Sequence, residues 1–496
     1  MPRAARRSAT LTALVLLLLA TLPAPATAAV PSAASAGRGP GAADGPSRSG
    51  ELVTEDVVFE GGDRTMGGTV IAPAGGGTGL PAIVLVAGAG EGLPREVYRP
   101  QAEAFARAGI VTLIYDKRGP DDGYSMFEAS IADLADDAIA GVHLLEERPE
   151  VDPDRVGVHG HSEGGWTVVE AADRSPAVDF VIAANSSALT PERTQVWMNR
   201  MQLRHAGVSE PLRTRLGETL TRHIVAADMF RLHGHDPRPA LERLDRPFLG
   251  VAAALDWSTP PGETLRIYAD ALARGGDPRS TLRVIDGVGH SMEPSDDGYV
   301  EAEGDPAASF RDLSPEYVRT VTEWVHGLSG TAAAGRGDPP PEQEEESESL
   351  APLAAYESSG VQIAAFAVLM AAFGGSLLVG AYSRLRDRPR LRPGRRTAAA
   401  LGLVGLAVPP LTIGYLGMIM INAGTTPGPV VAGHPLPWLA LQLATLGAAA
   451  GALTLVVRCH RARASLDTPA KVRLGALLAG TAVLLPWAAY WGLFTV

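Results

Sequence analysis

The chain is 496 residues long, carries a formal net charge of −12 and contains one cysteine, Cys459. That length exceeds what one ordinary core organises, so at least two structural units are expected. The acidic balance speaks against nucleic acid as a partner, and a single cysteine excludes both an intramolecular disulfide framework and a Cys-based zinc site.

Residues 1–28 read as a signal peptide. Arg3, Arg6 and Arg7 precede an apolar run from Leu11 to Leu22, followed by Ala26-Thr27-Ala28, the small-x-small pattern of a cleavage site. An uncleaved anchor is the alternative, although the run is shorter than a bilayer-spanning helix requires. Residues 29–50, rich in Ala, Gly, Pro and Ser, read as a flexible spacer.

From residue 51 to 330 short apolar runs alternate with helical patterns. Strands are expected at Val53–Glu60, Gly67–Ala72, Ala82–Val86, Ile110–Tyr115, Arg155–His159, Phe180–Ala184, Phe248–Ala253 and Leu282–Ile285. Helices are expected at Arg99–Ala108, Ile131–Glu147 and Glu163–Asp173. Continuous apolar strands separated by amphipathic helices predict a mostly parallel sheet covered on both faces, opened by an antiparallel hairpin. Ligands of such sheets bind at the carboxyl ends of the strands, so chemistry is sought directly after each strand.

After the fifth strand stands Gly160-His161-Ser162-Glu163-Gly164-Gly165, a G-x-S-x-G motif in the strand–turn–helix setting that gives the motif meaning. Ser162 is the expected nucleophile; the glycines relieve crowding in a tight turn, and a helix N-terminus favours developing negative charge. A serine hydroxyl needs a base and an orienting acid, which in this architecture follow it in the order acid, histidine. Asp256, just past Phe248–Ala253, is the expected acid, and His290, in Gly287-Val288-Gly289-His290, the expected base. Asp286 is an alternative acid, whereas Asp245 precedes its strand and falls at the wrong end. His161 is expected to pack or hydrogen-bond locally, and His233-Gly234-His235 lacks further ligands for a metal. The oxyanion donors are expected to be the backbone N–H of Glu163 and one from the glycine-rich loop Val86-Ala87-Gly88-Ala89-Gly90, assigned to Ala89.

An insertion at residues 188–243 carries Leu212, Leu216, Leu220 and Ile224 at helical spacing and reads as a helical cap over the active site. Trp197, Met198, Met201, Met229 and Phe230 either line an adaptable pocket or form the cap's own core. Its nine arginines exceed its six acids (9 − 6 = +3), which favours neutral or anionic substrates.

Residues 331–360 read as an extended, solvated Pro/Glu-rich linker. Beyond it lie four apolar stretches, Val361–Ala381, Ala398–Ile421, Leu436–Val457 and Leu474–Phe494, each long enough to cross a bilayer. Arg384 to Arg396 and Arg458 to Arg473 fill the first and last connections, while residues 423–435 hold no Lys or Arg. The positive-inside bias puts the basic loops in the cytoplasm and everything before residue 361 outside, in agreement with the signal peptide. The bundle is expected to act as an anchor in the cell membrane, with a transporter or sensor as the alternative.

Residues 82–329 resemble the bacterial α/β-hydrolase esterases related to the serine aminopeptidase and dienelactone hydrolase groups. The resemblance is carried by Val84-Leu85-Val86-Ala87-Gly88-Ala89-Gly90, Tyr115-Asp116-Lys117-Arg118-Gly119, Ala135-Asp136-Asp137-Ala138, the Ser162 motif, Leu255-Asp256-Trp257 and Gly289-His290-Ser291. It departs at Ala87, where such proteins usually carry histidine. It implies an α/β-hydrolase fold with a helical cap, followed here by an all-α transmembrane domain. It also implies hydrolysis of a small-molecule carboxylic ester through an acyl-enzyme, without a cofactor. A peptidase or acyltransferase would use the same triad, and a membrane-anchored binding protein would use none of it.

Overall fold

A computed structural model describes residues 51–122, 124–125, 128, 130–276, 279–299, 310–328, 337–385, 394–461, 466 and 468–496. The expected signal peptide and spacer lie outside the described residues. The chain divides into two compact units, one holding Asn199–Ala227 and Leu350–Val496, the other the remaining described residues up to Ser349.

In the larger unit eight strands form one sheet: β1 (Leu52–Gly61), β2 (Arg64–Pro73), β3 (Leu80–Val86), β4 (Val111–Tyr115), β5 (Val151–His161), β6 (Val181–Ala184), β7 (Phe248–Ala253) and β8 (Ser280–Ile285). Their order is β1-β2-β4-β3-β5-β6-β7-β8. The first two form the expected antiparallel hairpin, β2 also pairs antiparallel with β4, and every other neighbour is parallel. Along each inner strand alternate side chains enter opposite cores. Val84 and Val86 pack with α2 (Ile131–Glu146) and α3 (Glu163–Arg174), while Ile83 and Leu85 pack with α1 (Arg99–Arg107) and, further along the chain, α8 (Pro315–Gly327). Both faces are therefore covered, and only the strand ends remain for chemistry. This is the α/β-hydrolase fold implied by the sequence.

The insertion is helical, as expected: α4 (Pro191–His205), α5 (Leu212–Ala226) and α6 (Arg238–Arg243), followed after β7 by α7 (Pro261–Gly275). Its apolar stripe finds its partner in the C-terminal helices. Leu203, Val208, Leu212 and Leu216 are buried in one cluster with Phe373, Leu416, Trp438, Leu484 and Trp491 of the C-terminal helices. A leucine stripe specifies that a face is buried, not against what. The arginine excess is also largely cancelled from outside the insertion: Arg193 pairs with Glu263, Arg222 with Glu357 and Arg243 with Asp173. The net count is thus no guide to substrate charge.

The acidic stretch at 337–349 has no helix or strand, yet it is not merely solvated. Asp338 accepts from Arg283 Nε at 2.9 Å, the Glu345 carbonyl from Trp197 Nε1 at 2.9 Å, and the Ser347 carbonyl from Arg193 at 3.0 Å. Its acids and carbonyls meet arginines and an indole on the sheet domain, which composition alone does not locate.

The smaller unit contains α9 (Ser359–Leu385), α10 (Arg395–Ile421), α11 (Leu436–Arg461) and α12 (Thr468–Tyr490), all long and apolar enough to cross a membrane. A two-residue hairpin, β9 (Val430–Val431) with β10 (His434–Pro435), closes the loop before α11. Here the Ser209 amide donates to Gly433 O at 3.0 Å, and His223 hydrogen-bonds the Tyr490 hydroxyl at 2.7 Å and stacks on Trp491. The insertion segment therefore binds the bundle at the end bearing the loop free of Lys and Arg.

Candidate active site

The strand order places the candidate residues. β3 and β5 are parallel neighbours with Val86 opposite Gly160, so the glycine-rich loop and the Ser162 turn leave the sheet side by side. β7 and β8 are also parallel neighbours, with Ala253 opposite Ile285, and Asp256 and His290 follow those two ends. The sheet reverses its winding around β3, the place where ligands bind such folds.

Ser162 sits at φ 55°, ψ −119°, immediately ahead of the first residue of α3. A non-glycine residue at positive φ carries strain, and here the flanking sequence enforces it. A Cβ on Gly160 would fall 2.1 Å from the Gly164 carbonyl oxygen, one on Gly164 2.5 Å from that of Val86, and one on Gly165 1.9 Å from Ser186 Oγ. Only glycine fits at these three positions, so the turn stays sharp and presents the serine at the N-terminus of the helix.

His290 Nδ1 lies 3.0 Å and 2.9 Å from the two carboxylate oxygens of Asp256. A carboxylate only accepts, so Nδ1 carries a hydrogen; in the neutral ring the lone pair is then on Nε2, the tautomer a general base needs. Asp256 is buried, and it also accepts from the Ser258 and Thr259 amides at 2.7 and 2.9 Å and from the Thr259 hydroxyl at 2.7 Å. Burial alone would raise its pKa; the His290 charge and the hydrogen bonds from His290 and Thr259 outweigh burial and hold the carboxyl below its ordinary value. Asp286 is exposed, and the position open to it as an alternative acid is taken by Asp256.

Two residues brace His290 without touching its ring nitrogens. His161 Nε2 donates to the His290 carbonyl at 2.8 Å, and Asn185 Nδ2 donates to the same oxygen at 2.6 Å. Asn185 also accepts from the Ala253 amide at 2.6 Å and thereby joins the ends of β6 and β7 to the histidine loop. His161 hydrogen-bonds, as expected, but not locally: its partner is 129 positions away in the chain. Asn185 went unnoticed, although it stands directly after a strand, where the rule for such sheets says to look.

At the glycine-rich loop expected to supply an oxyanion donor, the Gly88 amide donates to the Tyr98 hydroxyl at 2.8 Å and so is already engaged. The next amide, Ala89, has no acceptor among the described residues. Gly88 lies so near the nucleophile position that a Cβ there would be 3.2 Å from Ser162 Cβ. Glu163 opens α3, so its N–H has no intrahelical acceptor. The Glu163 carboxylate is buried and accepts from Lys117 Nζ and from the Tyr124 hydroxyl, each at 2.6 Å. Lys117 belongs to the Tyr115–Gly119 stretch quoted for the resemblance, but nothing in a lone loop lysine announced that it is buried here.

Residues 97–304 match the sequence model of the prolyl oligopeptidase family. A thiohydrolase of Arthrinium phaeospermum is 33% identical over 89 residues, which are 18% of this chain, and the chain spans only 29% of the length of that relative. Among solved structures, an esterase of Pyrococcus furiosus is similar at 17% identity and TM-score 0.40, over 59% of this chain and 97% of that one. A dienelactone hydrolase of Anabaena variabilis is similar at 17% identity and TM-score 0.36, over 55% of this chain and 97% of that one. The family match and the sheet described above agree on the α/β-hydrolase fold for the larger unit.

Proposed function

We propose that this protein is a membrane-anchored serine hydrolase that cleaves carboxylic esters through an acyl-enzyme on the extracytoplasmic side. Ser162 attacks the acyl carbon as His290 Nε2 takes its proton. Asp256 holds the imidazole and stabilises the imidazolium, and the Ala89 and Glu163 amides receive the oxyanion. The imidazolium then protonates the leaving alcohol, and water, activated by the same histidine, releases the acid. The reading is supported by the pairing of His290 with the buried Asp256, together with a serine held at φ 55° in a glycine-enforced turn.

The family match to prolyl oligopeptidases makes amide-bond hydrolysis the competing reading. Capture of a free α-ammonium calls for an unengaged carboxylate near the nucleophile. The Glu163 carboxylate, next to Ser162, is instead engaged by Lys117 and Tyr124, which favours an ester substrate. The test is a comparison of short p-nitrophenyl esters with aminoacyl p-nitroanilides on the full chain in detergent. Ester cleavage with the anilides nearly untouched is expected; faster anilide cleavage, abolished by blocking the amine, would make it a peptidase.

The extracytoplasmic side is favoured by the four apolar helices, the basic connections at one end of them, and the docking of insertion residues such as Ser209 on the loop at the other end.

A further inference from the structure

Lys117 sits behind the oxyanion loop, 5% exposed, and its ammonium donates to the Gly88 carbonyl at 2.6 Å as well as to Glu163 Oε1 at 2.6 Å. The Tyr124 ring lies under it, with the ammonium 4.8 Å from the centroid. The Gly88 carbonyl and the Ala89 N–H are the two ends of one planar peptide unit. A charge-assisted bond to the carbonyl end stops that plane from turning and draws electron density from the nitrogen, which makes its N–H a stronger donor. The second partner of the ammonium is the side chain of Glu163, whose own backbone N–H is the other expected donor. One buried cation is thus bonded to the Gly88–Ala89 peptide unit, through its carbonyl, and to the side chain of Glu163, at a loop packed against Ser162 Cβ.

We propose that Lys117 is a positioning residue of the oxyanion hole, orienting and polarising the Gly88–Ala89 peptide and fixing it to Glu163. The proposal rests on Ser162 being the nucleophile. Besides its ion pair with the Glu163 side chain, the ammonium makes a second bond. This one places its charge on the carbonyl of the peptide whose N–H does the work, in a site from which water is largely excluded. The benefit is specific to the tetrahedral intermediate, because only there does the substrate oxygen carry a full negative charge.

The test uses the full-length protein in detergent micelles with p-nitrophenyl butyrate, active sites being counted by titrating to completion with a fluorophosphonate. Lys117→Met should lower kcat per titrated site by about tenfold or more while KM stays within about twofold. A trifluoromethyl ketone, which forms an oxyanion adduct on the serine, should lose affinity by a similar factor. Lys117→Gln keeps a neutral donor and should fall between the two; if Lys117→Met yields no titratable sites, Lys117→Gln decides on the same criteria. A kcat per site within about twofold of the parent, or a loss confined to KM, overturns the proposal. A fluorophosphonate adduct on a residue other than Ser162 would instead overturn the reading of the site on which it rests.

Discussion

The Asp256 carboxylate embraces His290 Nδ1 with both oxygens, at 3.0 and 2.9 Å, while its remaining capacity is filled by Ser258 and Thr259. An acid so fully engaged fixes both the orientation and the tautomer of the imidazole. Asp256→Asn keeps the shape but offers a donor where Nδ1–H needs an acceptor, so it selects the wrong tautomer. A fall in kcat on the order of ten-thousandfold at neutral pH is expected, with KM little changed. Steady-state kinetics checks this, and a fall of less than about tenfold would detach Asp256 from the chemistry.

Most of the sheet, the turn at Ser162 and the Asp256–His290 pairing were legible because each rests on a local rule. Apolar runs gave Phe248–Ala253 to the residue, glycine spacing gave the turn at Ser162, and position after a strand gave Asp256 and His290. What escaped the sequence depends on partners remote along the chain. Leu212 and Leu216 announce a buried face but not that it joins one apolar cluster with the C-terminal helices. Lys117 looks like any loop lysine until the fold brings Gly88 and Glu163 to its ammonium. The acids at 337–349 look solvated until Arg266 and Arg283 are seen beside Glu346 and Asp338.

Two buried histidines on β5 should make the protein acid-labile well above the pH at which carboxylates protonate. Burial, the dominant cause, pushes His159 down to about 4 and His161, which also feels His290, down to about 3. In the unfolded chain both return to about 6.5, so below that pH the unfolded state binds more protons and stability falls as pH falls. The full contribution is present above about 6.5, and each histidine should have withdrawn about 2 kcal/mol by pH 5. Thermal melts of the protein in detergent should show a lower Tm at pH 5 than at pH 7, with a shallower dependence in His159→Gln. An unchanged Tm across that interval would contradict the burial of both rings.

Orientation is testable with introduced cysteines. Cys459 itself is buried in the helical bundle, so its failure to label would say nothing about sidedness. In a Cys459→Ser background, Thr426 and His460 are exposed at opposite ends of the bundle and serve as reporters. Thr426→Cys should react with a membrane-impermeant maleimide in intact cells, and His460→Cys only after permeabilisation. The reverse pattern would place the hydrolase domain in the cytoplasm.

The most direct measurement is covalent. The full chain is treated with a fluorophosphonate, digested and sequenced by mass spectrometry, in parallel with p-nitrophenyl ester turnover by the parent and by Ser162→Ala. The account predicts one stoichiometric adduct on Ser162, no labelling of Ser162→Ala, and a loss of turnover in that variant on the order of a millionfold. An adduct on a different serine, or near-parental turnover in Ser162→Ala, would contradict the assignment of Ser162 as the nucleophile.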